Sequence, residues 1–360
     1  MADSAHGAGV RPPHGDGVRP GLGAGVRAAV DAERLLRRLE WTVIRRLEGA
    51  LQGDYRTLFR GFGMDFADLH EYQADDDVRY IDWNVTARMQ VPYVREFQED
   101  REVAAWFLVD LSGSLDFGSQ GVRKAMLATD FVAVLARVLT RRGNRVGAVF
   151  YRGTGRAPGA VVPARGGRMH VLHMLDSMLR PPAGKAGPRL REVSAAYETG
   201  SEGGHEIAHE TDLGELLARA QPAIKRRAAV FLISDFVSRP GWERALGMLA
   251  RRHEITAVRL CDPLERALPD LGMVVMQDAE SGEQLFVDTH DRGFRARFAK
   301  AAAEREQGLR DALARAGVDC LELSTDGPID GALLRFSRMR KQRSQLAAGA
   351  SPAAAAAKNA

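Results

Sequence analysis

Short apolar runs and longer helix-like stretches alternate along most of this chain. The apolar runs have the length of buried strands and lie at 103–110, 144–151, 226–235, 254–261 and 318–323. Apolar residues at three- and four-residue intervals predict helices between and after them, at 122–142, 168–179, 212–224, 242–252 and 294–317. This alternation predicts an α/β fold, with a doubly wound, mostly parallel sheet that carries helices on both faces.

Three further segments complete the predicted order of elements. A first helix is predicted at 32–51, where leucines and aromatic residues follow helical spacing and Gly53 provides a stop. Residues 159–164 predict a short edge strand, and 273–288 predict a β-hairpin.

Composition divides the chain into four parts. Residues 1–27 are rich in Gly and Pro and residues 344–360 are rich in Ala, so both are predicted to be disordered tails. Residues 28–101 hold the first helix and a charged segment, and residues 102–343 form the main domain. One long irregular insert, 181–210, interrupts that domain, and an insert of this length is usually functional or disordered.

Charge and cysteine content narrow the class of protein. The 360 residues are 45% hydrophobic and carry a formal charge of +4, which describes a mixed surface rather than a polycation that binds nucleic acid. Cys261 and Cys320 lie in or beside apolar runs, which predicts reduced thiols. The chain has neither an apolar run of membrane-spanning length nor a secretory signal at its start, so we expect a soluble cytoplasmic protein.

Two of the predicted strands end in aspartate. Asp110 is followed by Ser112 and Ser114 in a D-x-S-x-S pattern, and Asp235 ends a later strand. Thr211 opens the helix that follows the insert. Ligands of doubly wound sheets bind outside the carboxyl ends of the strands, so these side chains are candidates to share one site.

An oxygen-only set of three hydroxyls and two carboxylates suits a hard cation, and we expect Mg²⁺ or Mn²⁺. If the ion is incompletely neutralised, its remaining position can take an Asp or Glu of a protein partner. A simpler interpretation stays open for each residue. Ser112 or Ser114 could cap the following helix, Thr211 with Asp212 and Glu215 resembles an ordinary N-cap, and an Asp at a strand end is common.

The D-x-S-x-S, Thr and Asp arrangement resembles the metal-ion-dependent adhesion site of von Willebrand factor A domains. Asp110, Ser112 and Ser114 match its first segment, Thr211 its second and Asp235 its third. The resemblance covers about 102–325. It implies a von Willebrand factor A-like domain that binds proteins through the ion and is not an enzyme.

A second resemblance is carried by residues 63–102, which are similar to the signature of the domain of unknown function 58 family. The matching residues are Glu71, Tyr72, Asp76, Asp77, Arg79, Ile81, Asp82, Trp83, Ala87, Arg88, Arg95 and Glu96. Ala74 and Asp75 stand where the family usually has Gly before the paired acids. Members are commonly paired with MoxR-type AAA+ ATPases, which implies an adaptor or co-chaperone with such an ATPase, or its client, as partner.

Apart from the family resemblance, residues 63–102 are notable for many closely spaced acidic and basic side chains. Asp76, Asp77, Arg79, Asp82, Arg88, Arg95 and Glu96 could form an ion network that holds the segment on the main domain, or could contact a partner directly; the network is the simpler interpretation. Arg88 and Arg95 are the best candidates for either role, because a guanidinium group can bind a carboxylate with two parallel hydrogen bonds.

Two alternative functions have weaker sequence support. His205, Glu206 and His209 satisfy H-E-x-x-H, the motif of zinc metallopeptidases, but Gly203 and Gly204 precede them and a new helix begins at once, so the required long helix is missing. A nucleic-acid-binding helix is the second alternative. Its five cations are Arg335, Arg338, Arg340, Lys341 and Arg343, and no aromatic platform accompanies them.

Overall fold

The computed structural model describes residues 20–50, 69–73, 78, 81, 83–95, 104–119, 121–153, 160–180, 211–277 and 284–349. Its first element is helix α1, Pro20–Leu39, which continues through a π-helical turn, Glu40–Ile44, into α2, Arg45–Ala50. Helix α1 therefore starts inside the predicted N-terminal tail.

The described part of the signature segment contains a two-stranded sheet and one helix. Strands β1, Leu69–Glu71, and β2, Tyr93–Arg95, pair antiparallel, and helix α3, Trp83–Met89, lies between them in the chain. The backbone N–H of Tyr93 donates to the hydroxyl of Thr86 at 3.0 Å, which ties the helix to the second strand.

A six-stranded sheet forms the centre of the molecule. Its strands are β3, Ala104–Asp110; β4, Arg145–Tyr151; β5, Val161–Arg165; β6, Ala229–Ser234; β7, Glu254–Cys261; and β10, Asp319–Ser324. The spatial order is β10-β7-β6-β3-β4-β5, and every pair is parallel except β4 with the edge strand β5. The predicted fold class, with its edge strand at 159–164, is confirmed.

Helices cover both faces of this sheet. They are α4, Lys124–Arg141; α5, Arg168–Leu179; α6, Leu213–Ala223; α7, Trp242–Ala250; α8, Arg292–Arg315; and α9, Ile329–Gly349. On β3, Phe107 and Val109 face the core shared with α1, α4, α5 and α9, whereas Trp106 and Leu108 face the core shared with α6, α7 and α8. This alternation is why a run that is apolar throughout can be buried on both sides.

The N-terminal helix is part of the first of these cores. Ala32, Leu36, Ile44 and Leu47 are buried in one apolar cluster with α4 and α5. Around this contact, Glu33 accepts from Arg168 at 2.7 Å and Glu40 accepts from Arg137 at 2.7 Å. The N-terminal helix is therefore a layer of the main domain's core.

A β-hairpin stands apart from the sheet, with strands β8, Met273–Gln277, and β9, Gln284–Asp288, as predicted. Helix α9 ends at Gly349, inside the predicted C-terminal tail. Cys261 and Cys320 are free thiols, as expected. Within the described residues, none of the helices combines the length and the apolar character needed to cross a membrane.

Candidate metal centre at the carboxyl edge of the sheet

The two predicted aspartates lie at the carboxyl ends of neighbouring strands. Asp110 is the last residue of β3, and Asp235 directly follows β6. The two strands are paired in register, with Val109 opposite Ile233. The hydroxyl of Ser234 donates to Asp110 Oδ2 at 2.8 Å, so the residue before one aspartate binds the other.

The loop after β3 brings the two serines together. Asp110 Oδ1 accepts from the backbone N–H of Ser112 at 2.9 Å, and the hydroxyl oxygens of Ser112 and Ser114 lie 3.1 Å apart. Neither serine caps helix α4, whose N-cap is Arg123, and Ser112 makes no side-chain cap on the short 3₁₀ turn Gly113–Asp116. The capping interpretation of these serines is wrong, and their hydroxyls face each other beside Asp110.

Thr211 is buried at the start of the segment leading into α6. The cap of this helix is Asp212, whose Oδ1 accepts from the backbone N–H of Glu215, so capping does not account for Thr211. The carbonyl oxygen of Thr211 accepts from the backbone N–H of Arg239 at 3.0 Å and from the Ser238 hydroxyl at 3.2 Å. These bonds hold Thr211 against the loop that follows Asp235.

Backbone strain occurs in that same loop. Phe236, directly after Asp235, has a φ of 60°, a conformation that large side chains rarely adopt. The surroundings hold it there, because its ring packs 5.6 Å from Trp242 and its N–H donates to the Ser234 hydroxyl at 2.9 Å. Strain of this kind concentrates at functional sites.

Asp110 is a fully buried carboxyl group. Burial, together with the charge of nearby Asp235, raises its pKa from 3.8 to about 6, although hydrogen bonds from Ser112 and Ser234 oppose the rise. Ionisation of Asp110 is therefore less favourable in the folded protein than in water, and a cation beside the carboxylate would make it more favourable.

Sequence reasoning missed Lys124, the first residue of α4. Its side chain is buried, and its ammonium donates to Asp235 Oδ2 at 2.7 Å and to Glu265 Oε1 at 2.6 Å. Burial alone would lower the pKa of Lys124, but the charges of Asp235 and Glu265 raise it, so the side chain is a cation. A lysine at a helix N-terminus is unfavourable with respect to the helix dipole, and this unusual position was the one sequence feature that could have indicated a special role for Lys124.

A third strand, β7, is also followed by an aspartate that sequence reasoning missed. Asp262 Oδ2 accepts from the backbone N–H of Ser119, the Ser119 hydroxyl and the Thr325 hydroxyl at 2.6–2.8 Å, and Oδ1 accepts from the backbone N–H of Leu264 at 2.9 Å. Burial alone would raise the pKa of Asp262, but these bonds hold it below its ordinary value. Asp262 joins three loops.

The donor set around Asp110 fits a small hard cation. In an octahedral shell with oxygen ligands near 2.1 Å, neighbouring ligands lie about 3.0 Å apart, close to the 3.1 Å between the Ser112 and Ser114 hydroxyls. In the described part of the chain, three or more His, Cys, Asp or Glu side chains do not gather into a metal-binding group. An ion at this edge would therefore depend on the hydroxyls as well as on Asp110 and Asp235.

The remaining predicted residues divide into described and undescribed ones. Trp83 begins α3 with 71% of its surface exposed, and Arg88 is exposed on the same helix. Arg95 ends β2, without a described side chain. The following predicted residues lie outside the described part of the chain: Asp76, Asp77, Arg79, Asp82, Glu96, His205, Glu206 and His209.

The basic C-terminal cluster lies on α9, where acidic partners neutralise part of it. Arg340 pairs with Glu254 and Asp319, and Arg343 pairs with Asp319 at 2.6 Å. Arg335, Arg338 and Lys341 are exposed on the same helix. Two of the five cations therefore hold the helix against strands β7 and β10.

Sequence comparison identifies the family. The family described as "protein of unknown function DUF58" matches residues 68–308, about two thirds of the chain. This chain belongs to that family. An uncharacterised protein of Mycobacterium tuberculosis (strain H37Rv) and one of Mycobacterium bovis are each 35% identical over 309 residues, which cover 85% of this chain and 89% of each relative.

The solved structures to which this DUF58 protein is similar are more distant in sequence. The BatB protein of Bacteroides thetaiotaomicron is 14% identical, covering 67% of this chain and 99% of its own, with a TM-score of 0.35. The SpRpn10 VWA domain is 13% identical, covering 64% and 93%, with a TM-score of 0.33. The assignment of the fold class rests on the strand order and layers of this chain itself.

Proposed function

We propose that this DUF58 protein is a non-catalytic, metal-dependent adaptor or co-chaperone. Mg²⁺, or Mn²⁺, held by Asp110, Ser112, Ser114, Thr211 and Asp235 would bind a carboxylate of a protein partner. The observation that carries the proposal is the buried Asp110 carboxylate beside Asp235, with a pKa raised to about 6 and two facing hydroxyls on the same loop.

Charge balance supports a dication in particular. Asp110, Asp235 and Glu265 contribute three negative charges and Lys124 contributes one positive charge, so the ionised cluster has two negative charges in excess. Buried charge is costly without compensation. One Mg²⁺ would bring the cluster to neutrality.

The protein side chains divide the work at such a site. Asp110 and the hydroxyls of Ser112 and Ser114 are the direct ligands we propose, while Asp235 is held by Lys124 and by the backbone N–H of Val237 at 3.0 Å. When bound, the ion would supply an electrophilic position for a carboxylate oxygen of the partner. A ligand set in which serine hydroxyls replace carboxylates preserves that attraction.

The partner that we propose is a MoxR-type AAA+ ATPase or the client of that ATPase, in the cytoplasm. This part of the proposal comes from the family resemblance of residues 63–102. A non-catalytic adaptor of this kind would contribute to maturation by coupling a client to the ATPase.

Metal binding is tested first by calorimetric titration of Mg²⁺ and Mn²⁺ into the full-length, EDTA-treated protein. We expect a single binding event in the wild type and none in Asp110→Asn. The exposed substitution Asp311→Asn, on α8, is the matched control and should leave binding unchanged.

Partner binding is tested by capture of a purified MoxR-type AAA+ ATPase on the immobilised full-length protein. We expect capture in Mg²⁺ and its loss in EDTA or with Asp110→Asn, while circular dichroism stays that of the folded protein. Capture that is equal in EDTA and Mg²⁺ would refute the ion-mediated mechanism.

A further inference from the structure

A pocket opens directly beside the candidate metal centre. Its volume is about 640 Å³, and it lies between α1, the start of α4, the end of α5 and the loop that follows β3. Ser112 belongs to both sites, because its hydroxyl faces Ser114 and the residue also lines the pocket. The N-terminal helix, which precedes the sheet in the chain, forms one wall.

The pocket has an apolar floor. Leu115 and Met178 are buried there, and Met126 and Leu179 are 48% and 38% exposed at its margin. Leu35 of α1 completes the floor. Pockets of 300–1,000 Å³ hold small ligands or several side chains, so this one can accept apolar side chains of a bound segment.

The charged walls of the pocket are largely paired internally. Arg34 lies 4.0 Å from Asp31, Arg38 lies 3.4 Å from Asp130, and Arg123 lies 3.8 Å from Asp116. A fourth arginine, Arg152, donates to the carbonyl oxygens of Ser177 and Met178 at 3.0 Å. Four arginines against three aspartates leave the lining with one positive charge, which favours an acidic occupant.

We propose that this pocket is the second half of the partner-binding surface. It takes an apolar side chain from the same protein segment whose Asp or Glu reaches the ion, so the protein recognises an acidic residue together with an apolar neighbour. This inference rests on the proposed function, because the carboxylate half of the recognition needs the metal centre. Two adjacent contacts of different chemistry give selectivity that a single carboxylate cannot give.

The experiment is selection from a phage-displayed peptide library with a central Asp flanked by random residues, on immobilised full-length protein in Mg²⁺ or EDTA. We expect Mg²⁺-dependent enrichment, with apolar residues several-fold over-represented at one fixed spacing from the Asp. The double variant Met126→Gln/Leu179→Gln should lose at least threefold of that apolar preference and keep the dependence on Mg²⁺.

A matched control uses Met169→Gln/Met248→Gln, two methionines that are 74% and 47% exposed on α5 and α7 and lie outside the pocket lining. It should select the same peptides as the wild type. Thermal unfolding of both double variants checks that each is folded.

The other outcomes separate the two proposals. Mg²⁺-dependent selection of Asp without an apolar preference, or a preference unchanged in the pocket variant, would overturn the inference and leave the proposed function standing. Absence of any Mg²⁺-dependent selection would overturn both. Sedimentation that shows a wild-type dimer converted to monomer by the pocket variant would assign the pocket to a second copy of this chain and overturn the inference.

Discussion

Asp110 and Asp262 occupy the same kind of position and have opposite environments. Each lies at the carboxyl end of a parallel strand and is fully buried. Asp262 accepts four hydrogen bonds from protein donors, which hold its pKa below the ordinary value. Asp110 accepts two close hydrogen bonds, lies near Asp235 and has a pKa raised to about 6.

Under the proposed function, the difference separates a carboxylate that the fold itself stabilises from one that a bound cation would stabilise. Hydrogen bonds within the fold already stabilise the ionised form of Asp262, so an added cation would stabilise it little further. Asp110 is held in a position where its charge is disfavoured, and a bound cation would relieve that cost. Burial alone does not distinguish these roles; the supply of donors and neighbouring charge does.

The largest effect should come from removing the internal cation. Lys124→Met leaves Asp235 and Glu265 without their shared ammonium, and we expect a loss of about 4 kcal/mol in the free energy of unfolding because a buried charge loses its partner. Urea denaturation in EDTA measures the loss, and saturating Mg²⁺ should recover part of it. The exposed control Lys300→Met should change stability by less than about 0.5 kcal/mol.

Asp262→Asn should cost about 3 kcal/mol, because an amide cannot accept all of the hydrogen bonds that converge on the carboxylate. The same urea experiment checks it. Here the loss should be equal in Mg²⁺ and EDTA. Recovery by Mg²⁺ would show that Asp262 belongs to the metal centre.

The pH dependence of the metal-free protein should carry the signature of Asp110. Its pKa is raised in the folded state, so the folded protein holds a proton that the unfolded chain has released, and stability falls as pH rises from about 4 to about 6. Above that range, the ionised Asp110 carboxylate lowers the free energy of unfolding by roughly 2–3 kcal/mol. The difference in unfolding free energy between the wild type and Asp110→Asn, measured across this pH range, isolates the contribution of Asp110. Saturating Mg²⁺ should abolish the decrease in stability with rising pH.

At pH 8 in EDTA, Asp110→Asn should be about 2 kcal/mol more stable than the wild type. The neutral amide avoids burial of a charge beside Asp235 and gives up part of two hydrogen bonds. The same variant should gain no stability from Mg²⁺. A destabilised Asp110→Asn would place Asp110 in the same class as Asp262.

The smallest change in stability is expected for Ser114→Ala. Its hydroxyl contacts that of Ser112, so the free energy of unfolding in EDTA should fall by less than about 1 kcal/mol. Mg²⁺ affinity, measured calorimetrically, should fall roughly tenfold, which is about 1.4 kcal/mol. Unchanged affinity would remove Ser114 from the proposed ligand set.

The fold class and the positions of Asp110 and Asp235 at neighbouring strand ends could be predicted from sequence, because apolar runs ending in Asp are local patterns. Lys124 and Asp262 could not be identified in the same way. The ammonium of Lys124 meets Asp235 and Glu265, which are 111 and 141 residues away, and the donors to Asp262 include Ser119, 143 residues away. Such partners are defined only by the packing of loops at one edge of the sheet.

The packing partners of the N-terminal helix could not be predicted from its own sequence pattern either. Its apolar stripe predicted an amphipathic helix, but only the fold shows that α1 lies on α4 and α5 and forms a wall of the pocket beside Ser112. The helix also begins at Pro20, whereas the predicted helix began at residue 32. The prediction missed this boundary because the ends of a helix are its least well-defined part.

The pairing of β3 with β6 has a consequence for how the molecule assembles. Ala105 pairs with Ala229, so the middle of the sheet joins segments more than one hundred residues apart. Contacts of such long range form slowly, since a large loop must close before any stabilisation is gained. The Asp110 and Asp235 carboxylates come near each other only after that closure, so the candidate metal centre forms only once β6 has been synthesised and has docked on β3.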